Sequence, residues 1–238
     1  MSCPLPRWIA HRGGGSLAPE NTLAGIRLAA RLGYRAVEFD VMLSADGTPA
    51  LIHDETLERT TNGRGRVGET HDAELFALDA GLGERIPRFT EAARLCRALG
   101  LFANVEIKPA AGHERATAET VVRLAAECWR DAPQDVLLSS FEPRALLLAR
   151  DLAPQLRRAA LFETPPADWH DFYRQAGACA LHCNATRLDD AVLAEAGARG
   201  VPIVCYTVDE PAQAADLLRR GVAAFFTDRL DRFAGQIA

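Results

Sequence analysis

The stretch from Arg7 to Val41, RWIAHRGGGSLAPENTLAGIRLAARLGYRAVEFDV, contains a short apolar run, an amphipathic helical pattern and a second apolar run. Its helical part opens at Glu20 and Asn21, the latter a natural N-cap or, alternatively, a support for a site at the strand ends, and closes on Gly33. Strand, helix and strand in that order form a parallel crossover unit, because two parallel strands cannot be joined by a tight turn. The alternation continues to the far end of the chain. Strand-like runs recur at LFANVEIK, DVLLSS, RRAALFE, CALHCN, VPIVCYTV and AAFFTD, which with the first two makes eight. Helical patterns lie between them at RFTEAARLCRALG, ERATAETVVRLAAECWR, EPRALLLARDL, WHDFYRQAG, DDAVLAEAGARG and EPAQAADLLRRG, with a final short helix expected after Asp228. Eight strands with crossover helices predict the α/β class and a closed (β/α)8 TIM barrel rather than an open doubly wound sheet, in one domain covering residues 1–238.

One segment departs from this rhythm. VMLSADGTPALI, between Asp40 and His53, carries the turn signal Asp46-Gly47 and is too short for a helical crossover. It reads as a β-hairpin at the top of the second strand whose return arm brings His53 back beside Glu38 and Asp40. The polar, glycine-rich ETLERTTNGRGRVGE after it reads as an exposed loop at the barrel mouth.

A hydrophobic share of 48% and a charged share of 25% describe a chain able to bury a core. The net charge of −5 and the pI near 5.7 argue against nucleic acid or an anionic lipid surface as partner, so an anionic ligand must be held locally. No run approaches a membrane span and the first residues lack a signal-peptide pattern, so a cytoplasmic protein without stable membrane association, monomeric or homodimeric, is expected. The six cysteines are scattered and, Cys3 apart, sit in apolar surroundings, so no disulfides are expected. CALHCN suggests zinc only superficially, because His182 in a strand points away from the flanking thiols.

Barrel enzymes place their chemistry where strands end. Glu38 and Asp40, two apart on a strand, point the same way, and Glu106 and Lys108 repeat the arrangement one strand later. Carboxylates gathered inside a barrel are costly without a neutralising cation, and an all-oxygen set suits Mg²⁺ or Ca²⁺ better than zinc. The same groups, with Arg12, could instead brace the barrel as ion pairs. His11 and His53, at neighbouring strand ends, are candidates for general acid–base work. Arg12 offers a fork for phosphate oxygens and Lys108 a point charge, while the amides of Gly13 to Gly15 form either an anion nest or a flexible turn. Phe141, His182 and Tyr206 are candidates to line a substrate pocket; His71, His113 and His170 read as solvated.

The segments AHRGGGSLAPENT, VEFDVMLSADGTPALIHDETLERTTNG, LDAG, NVEIKP, SSFEP, CYTVD and FFTD, in that order, resemble the glycerophosphodiester phosphodiesterases, especially the cytosolic bacterial type. The resemblance runs from about Trp8 to Asp231. It implies a barrel that hydrolyses diesters such as glycerophosphocholine or glycerophosphoethanolamine to sn-glycerol 3-phosphate and an alcohol. It also implies His11 and His53 as the acid–base pair, Glu38, Asp40 and Glu106 as ligands of Mg²⁺ or Ca²⁺, and Arg12 and Lys108 on the phosphate. Two departures, a short LGERI segment and Tyr206 where many relatives have tryptophan, bear on the pocket's width and ceiling. The competing readings are a phospholipase-like phosphodiesterase acting on a lysophospholipid, a Schiff-base aldolase using Lys108 with Glu106, and a non-catalytic binder of polyol phosphates. The aldolase leaves the Glu38/Asp40 pair and both histidines without a role.

Overall fold

The computed structural model describes residues 5–236. Its strands are β1 (Trp8–Ala10), β2 (Ala36–Leu43), β3 (Pro49–Leu51), β4 (Phe102–Ile107), β5 (Val136–Ser140), β6 (Arg157–Phe162), β7 (Ala180–Asn184), β8 (Ile203–Tyr206) and β9 (Ala224–Thr227). The helices are α1 (Leu23–Arg31), α2 (Asp72–Leu75), α3 (Phe89–Leu99), α4 (Glu114–Cys128), α5 (Pro143–Leu152), α6 (Trp169–Gln175), α7 (Asp190–Arg199), α8 (Pro211–Arg219) and α9 (Leu230–Phe233). All strands except β3 pair in parallel around the ring, and β1 closes it by pairing with both β9 and β2. The eight expected barrel strands are therefore all present. β3 is the return arm of the hairpin, antiparallel to β2 with Val41 opposite Leu51.

Every residue of β2 is buried, as expected for a parallel strand covered on both faces. The alternation divides its side chains. Val37, Phe39 and Val41 pack outward into the helical layer with Ala103, Val105 and Ile107 of β4. Ala36 joins a lumen cluster with Ile9, Phe102, Leu137, Val204 and Phe226, which fills the barrel floor. Above that floor the inward positions turn polar, and register sets Glu38 beside Asn104 and Asp40 beside Glu106.

Three expectations require correction. Thr22, not Asn21, caps α1, its hydroxyl accepting from the Gly25 amide. Asn21 instead adopts a left-handed φ of 56° and is buried. The segment after the hairpin is more than an exposed loop: Met42, Ile52, Leu57, Val67, Leu75 and Ile86 form a small core of their own beneath it, with α2 in the wall. Cys179 is disulfide-bonded, contrary to the expectation that no disulfide forms, while Cys96, Cys128, Cys183 and Cys205 are free. Cys179 lies just before β7 and packs against the lumen-floor cluster. Cys3 lies outside the described residues.

Candidate active site

A pocket of about 270 Å³ opens at the C-terminal ends of the strands, where the βα loops converge. His11, Arg12, Glu38, Asp40, His53, Glu106, Lys108, Phe141, His182 and Tyr206 all line it, so every candidate residue comes to one place. His71, His113 and His170 do not.

Glu38, Asp40 and Glu106 each bring a carboxylate oxygen within 4.8 Å of the other two. Asp40 and Glu38 are almost fully buried, and Glu38 Oε1 and Glu106 Oε1 have no hydrogen-bond partner among the described residues. Burial and the charge of Asp40 push Glu38 up to about 7; burial, Asp40 and Glu38 push Glu106 up to about 8. Burial would raise Asp40 as well, but Lys108, His53 and Arg12 and a hydrogen bond from Asn21 hold it below its ordinary value. Crowded acids with orphaned oxygens are a donor set that fits a hard divalent cation, because only a positive charge relieves both the repulsion and the missing bonds.

The two imidazoles are braced alike. His11 Nδ1 lies 2.8 Å from Asp228 Oδ1, and His53 Nδ1 lies 2.6 Å from Asp54 Oδ1. A carboxylate on Nδ1 fixes the ring and leaves Nε2 for the site; His11 Nε2 lies 3.8 Å from Glu38 Oε2. Their protonation is pulled in opposite directions. Burial alone would lower His11, but the Asp228 hydrogen bond and the charges of Glu38 and Asp228 outweigh it and push the group up to about 9. In His53 burial outweighs Asp40 and Asp54, and the value falls below the ordinary one. One site thus contains a proton-bearing and a proton-free imidazole near neutral pH, which is what paired acid–base work requires.

The cations are positioned by the same carboxylates. Lys108 Nζ lies 3.5 Å from Asp40 Oδ1 and 3.9 Å from Glu106 Oε1. Arg12 donates through Nη1 to Glu20 at 2.9 Å, while its Nε, 3.8 Å from Asp40, has no hydrogen-bond partner. The glycines after Arg12 form a turn rather than an anion nest: the amides of Gly13, Gly14 and Gly15 donate to the carbonyls of Glu38, Arg12 and His11.

Several further residues support the site: for Asn21 this was the alternative to capping, while Arg59 and Asn104 were not singled out from sequence. Asn21 donates to Asp40 Oδ2 at 2.9 Å and accepts from the Asp40 amide at 3.1 Å, orienting the carboxylate from both ends. Arg59 bridges Asp54 and Glu20, so an alternating chain of charge runs His53, Asp54, Arg59, Glu20, Arg12. Asn104 lines the pocket with Oδ1 unpaired. One overlooked signal was compositional. Lys108 is the sole lysine in a chain whose other basic residues are all arginine, which marks a position needing a compact ammonium rather than a planar fork.

Comparisons with known proteins agree with this geometry. The model of the glycerophosphoryl diester phosphodiesterase family matches residues 11–232. A glycerophosphodiester phosphodiesterase of Caldanaerobacter subterraneus subsp. tengcongensis is 32% identical over 92% of this chain and 93% of its own. Among solved structures, an Oleispira antarctica phosphodiesterase in complex with the product sn-glycerol-3-phosphate is 35% identical, with a TM-score of 0.90 over 98% of this chain and 97% of its own. A glycerophosphodiester phosphodiesterase of Agrobacterium tumefaciens is 27% identical, with a TM-score of 0.80 over 97% of this chain and 100% of its own. With a family match that spans nearly the whole barrel, this chain belongs to the glycerophosphoryl diester phosphodiesterase family.

Proposed function

We propose that the chain hydrolyses glycerophosphodiesters, such as glycerophosphocholine and glycerophosphoethanolamine, to sn-glycerol 3-phosphate and an alcohol, with a divalent cation and the His11/His53 pair. One observation carries the reading: three carboxylates within 4.8 Å of one another share a pocket with two aspartate-braced imidazoles. Glu38, Asp40 and Glu106 would hold Mg²⁺ or Ca²⁺, which when bound supplies positive charge to a phosphate oxygen. Arg12 and Lys108 hold the phosphate from the side, Arg12 with its unpaired Nε and Lys108 with a mobile point charge. One imidazole takes the proton of the attacking oxygen, from water directly or from the substrate's 2-hydroxyl with water then opening the cyclic phosphate, and the other gives a proton to the leaving alcohol oxygen.

His182, buried in the lumen, lines the pocket with neither ring nitrogen hydrogen-bonded among the described residues. Burial pushes it down to about 3, so it meets hydroxyls as a neutral imidazole. Phe141 and Tyr206 line the rim. Among the described residues no helix is long and apolar enough to cross a membrane; a cytoplasmic setting and a monomer or homodimer belong to the same proposal.

The test strips metal with EDTA, measures sn-glycerol 3-phosphate release from both diesters and from lysophosphatidylcholine, then restores Mg²⁺ or Ca²⁺ separately. Activity should vanish on chelation, return with one ion and favour the diesters. His11→Ala and His53→Ala should each lower the rate by ~10²- to 10⁴-fold. Activity indifferent to chelation removes the cation from the scheme, and near-full activity in either variant removes the acid–base pair.

A further inference from the structure

The aspartates that brace His11 and His53 are themselves held in different ways. Asp54, the brace of His53, is clasped by Arg59, which donates through Nε and Nη2 to both carboxylate oxygens. Asp228, the brace of His11, has no such clasp. Among the described residues its carboxylate lies within ion-pair distance of His11 alone. The Asp228 side chain is also 37% exposed, so close packing does not fix it. A carboxylate in that position orients a ring only as well as its own backbone is held.

That backbone is held on both sides. The Ser16 amide and hydroxyl donate to the Asp228 carbonyl at 2.8 and 2.9 Å. From the other side Asp209 Oδ1 accepts from the Asp228 amide at 2.7 Å and from the Thr227 hydroxyl at 3.0 Å. The same Thr227 oxygen accepts from the Arg229 amide at 3.0 Å, so one carboxylate oxygen fixes the residues before, at and after the brace. Asp209 is anchored in turn. The Val208 amide donates to the Phe226 carbonyl at 2.8 Å, and Arg232 Nη1 donates to the Asp209 carbonyl at 3.1 Å. Asp209 does not line the pocket, so it can act on the chemistry only through what it holds.

We infer that Asp209 is a positioning residue of the reaction: it fixes the Asp228 main chain, Asp228 orients His11, and alignment of that imidazole with the phosphodiester depends on it. Asp209 does for the His11 brace what Arg59 does for the His53 brace. The inference rests on the proposed role of His11 and adds a residue to it.

The experiment measures kcat and KM for glycerophosphocholine with enzyme loaded with Mg²⁺ or Ca²⁺. Asp209→Ala should lower kcat about 10- to 100-fold and leave KM near wild type. Asp209→Asn keeps an oxygen where both donors point, and should recover most of the lost kcat. Thr227→Val removes one of the two bonds and should lower kcat by less, which keeps the test open if Asp209→Ala melts below the assay temperature. In a His11→Ala background Asp209→Ala should cost nothing further, because its only route to the chemistry is gone. A general loss of fold would lower both backgrounds alike. Wild-type kcat in Asp209→Ala, no recovery in Asp209→Asn, or the same fold-loss with and without His11 overturns the positioning role and leaves the phosphodiesterase reading intact. Near-full activity in His11→Ala, or no hydrolysis by the wild type, overturns the underlying reading and the inference with it.

Discussion

Removing and restoring the cation at two pH values tests the electrostatics of the site most directly. In the metal-free chain Glu38 is pushed up to about 7 and Glu106 to about 8, both from an ordinary 4.5. Between about pH 4.5 and 8 these two carboxyls therefore hold more protons in the folded chain than in the unfolded one, so the stability they contribute falls as pH rises through that window. A cation that needs both carboxylates ionised must displace one or two of these protons. Each displaced proton weakens apparent affinity about tenfold per pH unit below its pKa, so moving from about pH 8.5 to about pH 5.5 should cost ~10²- to 10⁴-fold. A cation concentration near 100 Kd at about pH 8.5 stabilises the fold by about 2.7 kcal/mol, or roughly 5–10 °C in Tm for a chain of this size. With affinity weakened a hundredfold, the same concentration at about pH 5.5 yields about 0.4 kcal/mol and a shift of about 1 °C. Scanning calorimetry with EDTA and with Mg²⁺ or Ca²⁺ reads the shifts, and titration calorimetry in buffers of differing ionisation enthalpy counts the released protons. Equal shifts at both pH values, or binding without proton release near neutrality, would refute the idea that these carboxylates converge on a shared ion.

Three substitutions probe the supports of the site. Asn21→Ala removes both hydrogen bonds to Asp40 and should weaken cation affinity by about 10- to 100-fold in titration calorimetry; unchanged affinity would make Asn21 a packing residue. Arg59→Ala frees Asp54 and Glu20 and should lower kcat by roughly tenfold, with stability changing by less than about 1 kcal/mol because the guanidinium is half exposed; a fall in Tm with kcat intact would reverse that assignment. Gly15→Ala combines a φ of +54° with a Cβ directed at the Asp228 carbonyl, and should destabilise by about 2–4 kcal/mol in chemical denaturation while displacing the brace of His11.

How far the sequence could be read depended on where each partner lay. The barrel strands were legible because runs such as VEFDV and NVEIK are apolar at alternate positions and bounded by helical patterns. The hairpin was legible because Asp46-Gly47 is a turn, and Gly47 does adopt a φ of +78°. The His11–Asp228 pair spans 217 positions, yet barrel closure alone predicts it, since Ala10 aligns with Thr227 and the next residue on each strand must then be neighbours. For Asn21 capping was preferred over support of the site, because an asparagine at a helix start suits a cap and a left-handed backbone equally well. Arg59 offered no signal, for its partners arise from the meeting of two irregular loops, to which periodicity does not apply. Cys179 was misread because a disulfide is a long-range fact that local hydrophobicity cannot report.

The two ends of the barrel show why the site is where it is. At the floor, the buried guanidinium of Arg158 donates to the carbonyls of Ala153, Leu156, Ala176 and Gly177, tying down backbone around the ends of α5 and α6. Four of its five N–H donors are thereby satisfied within the fold. At the mouth the accounts differ. Of nine buried side-chain nitrogen and oxygen atoms without a partner among the described residues, six belong to Arg12, Glu38, Asn104, Glu106 and His182, all lining one pocket. Each such atom costs about 1–3 kcal/mol when left unsatisfied. A fold tolerates that concentration most readily where a ligand completes the bonds, and under the proposed function phosphate, hydroxyl and cation would do so, so that the unpaired atoms that weaken the barrel by itself would be those that hold the substrate.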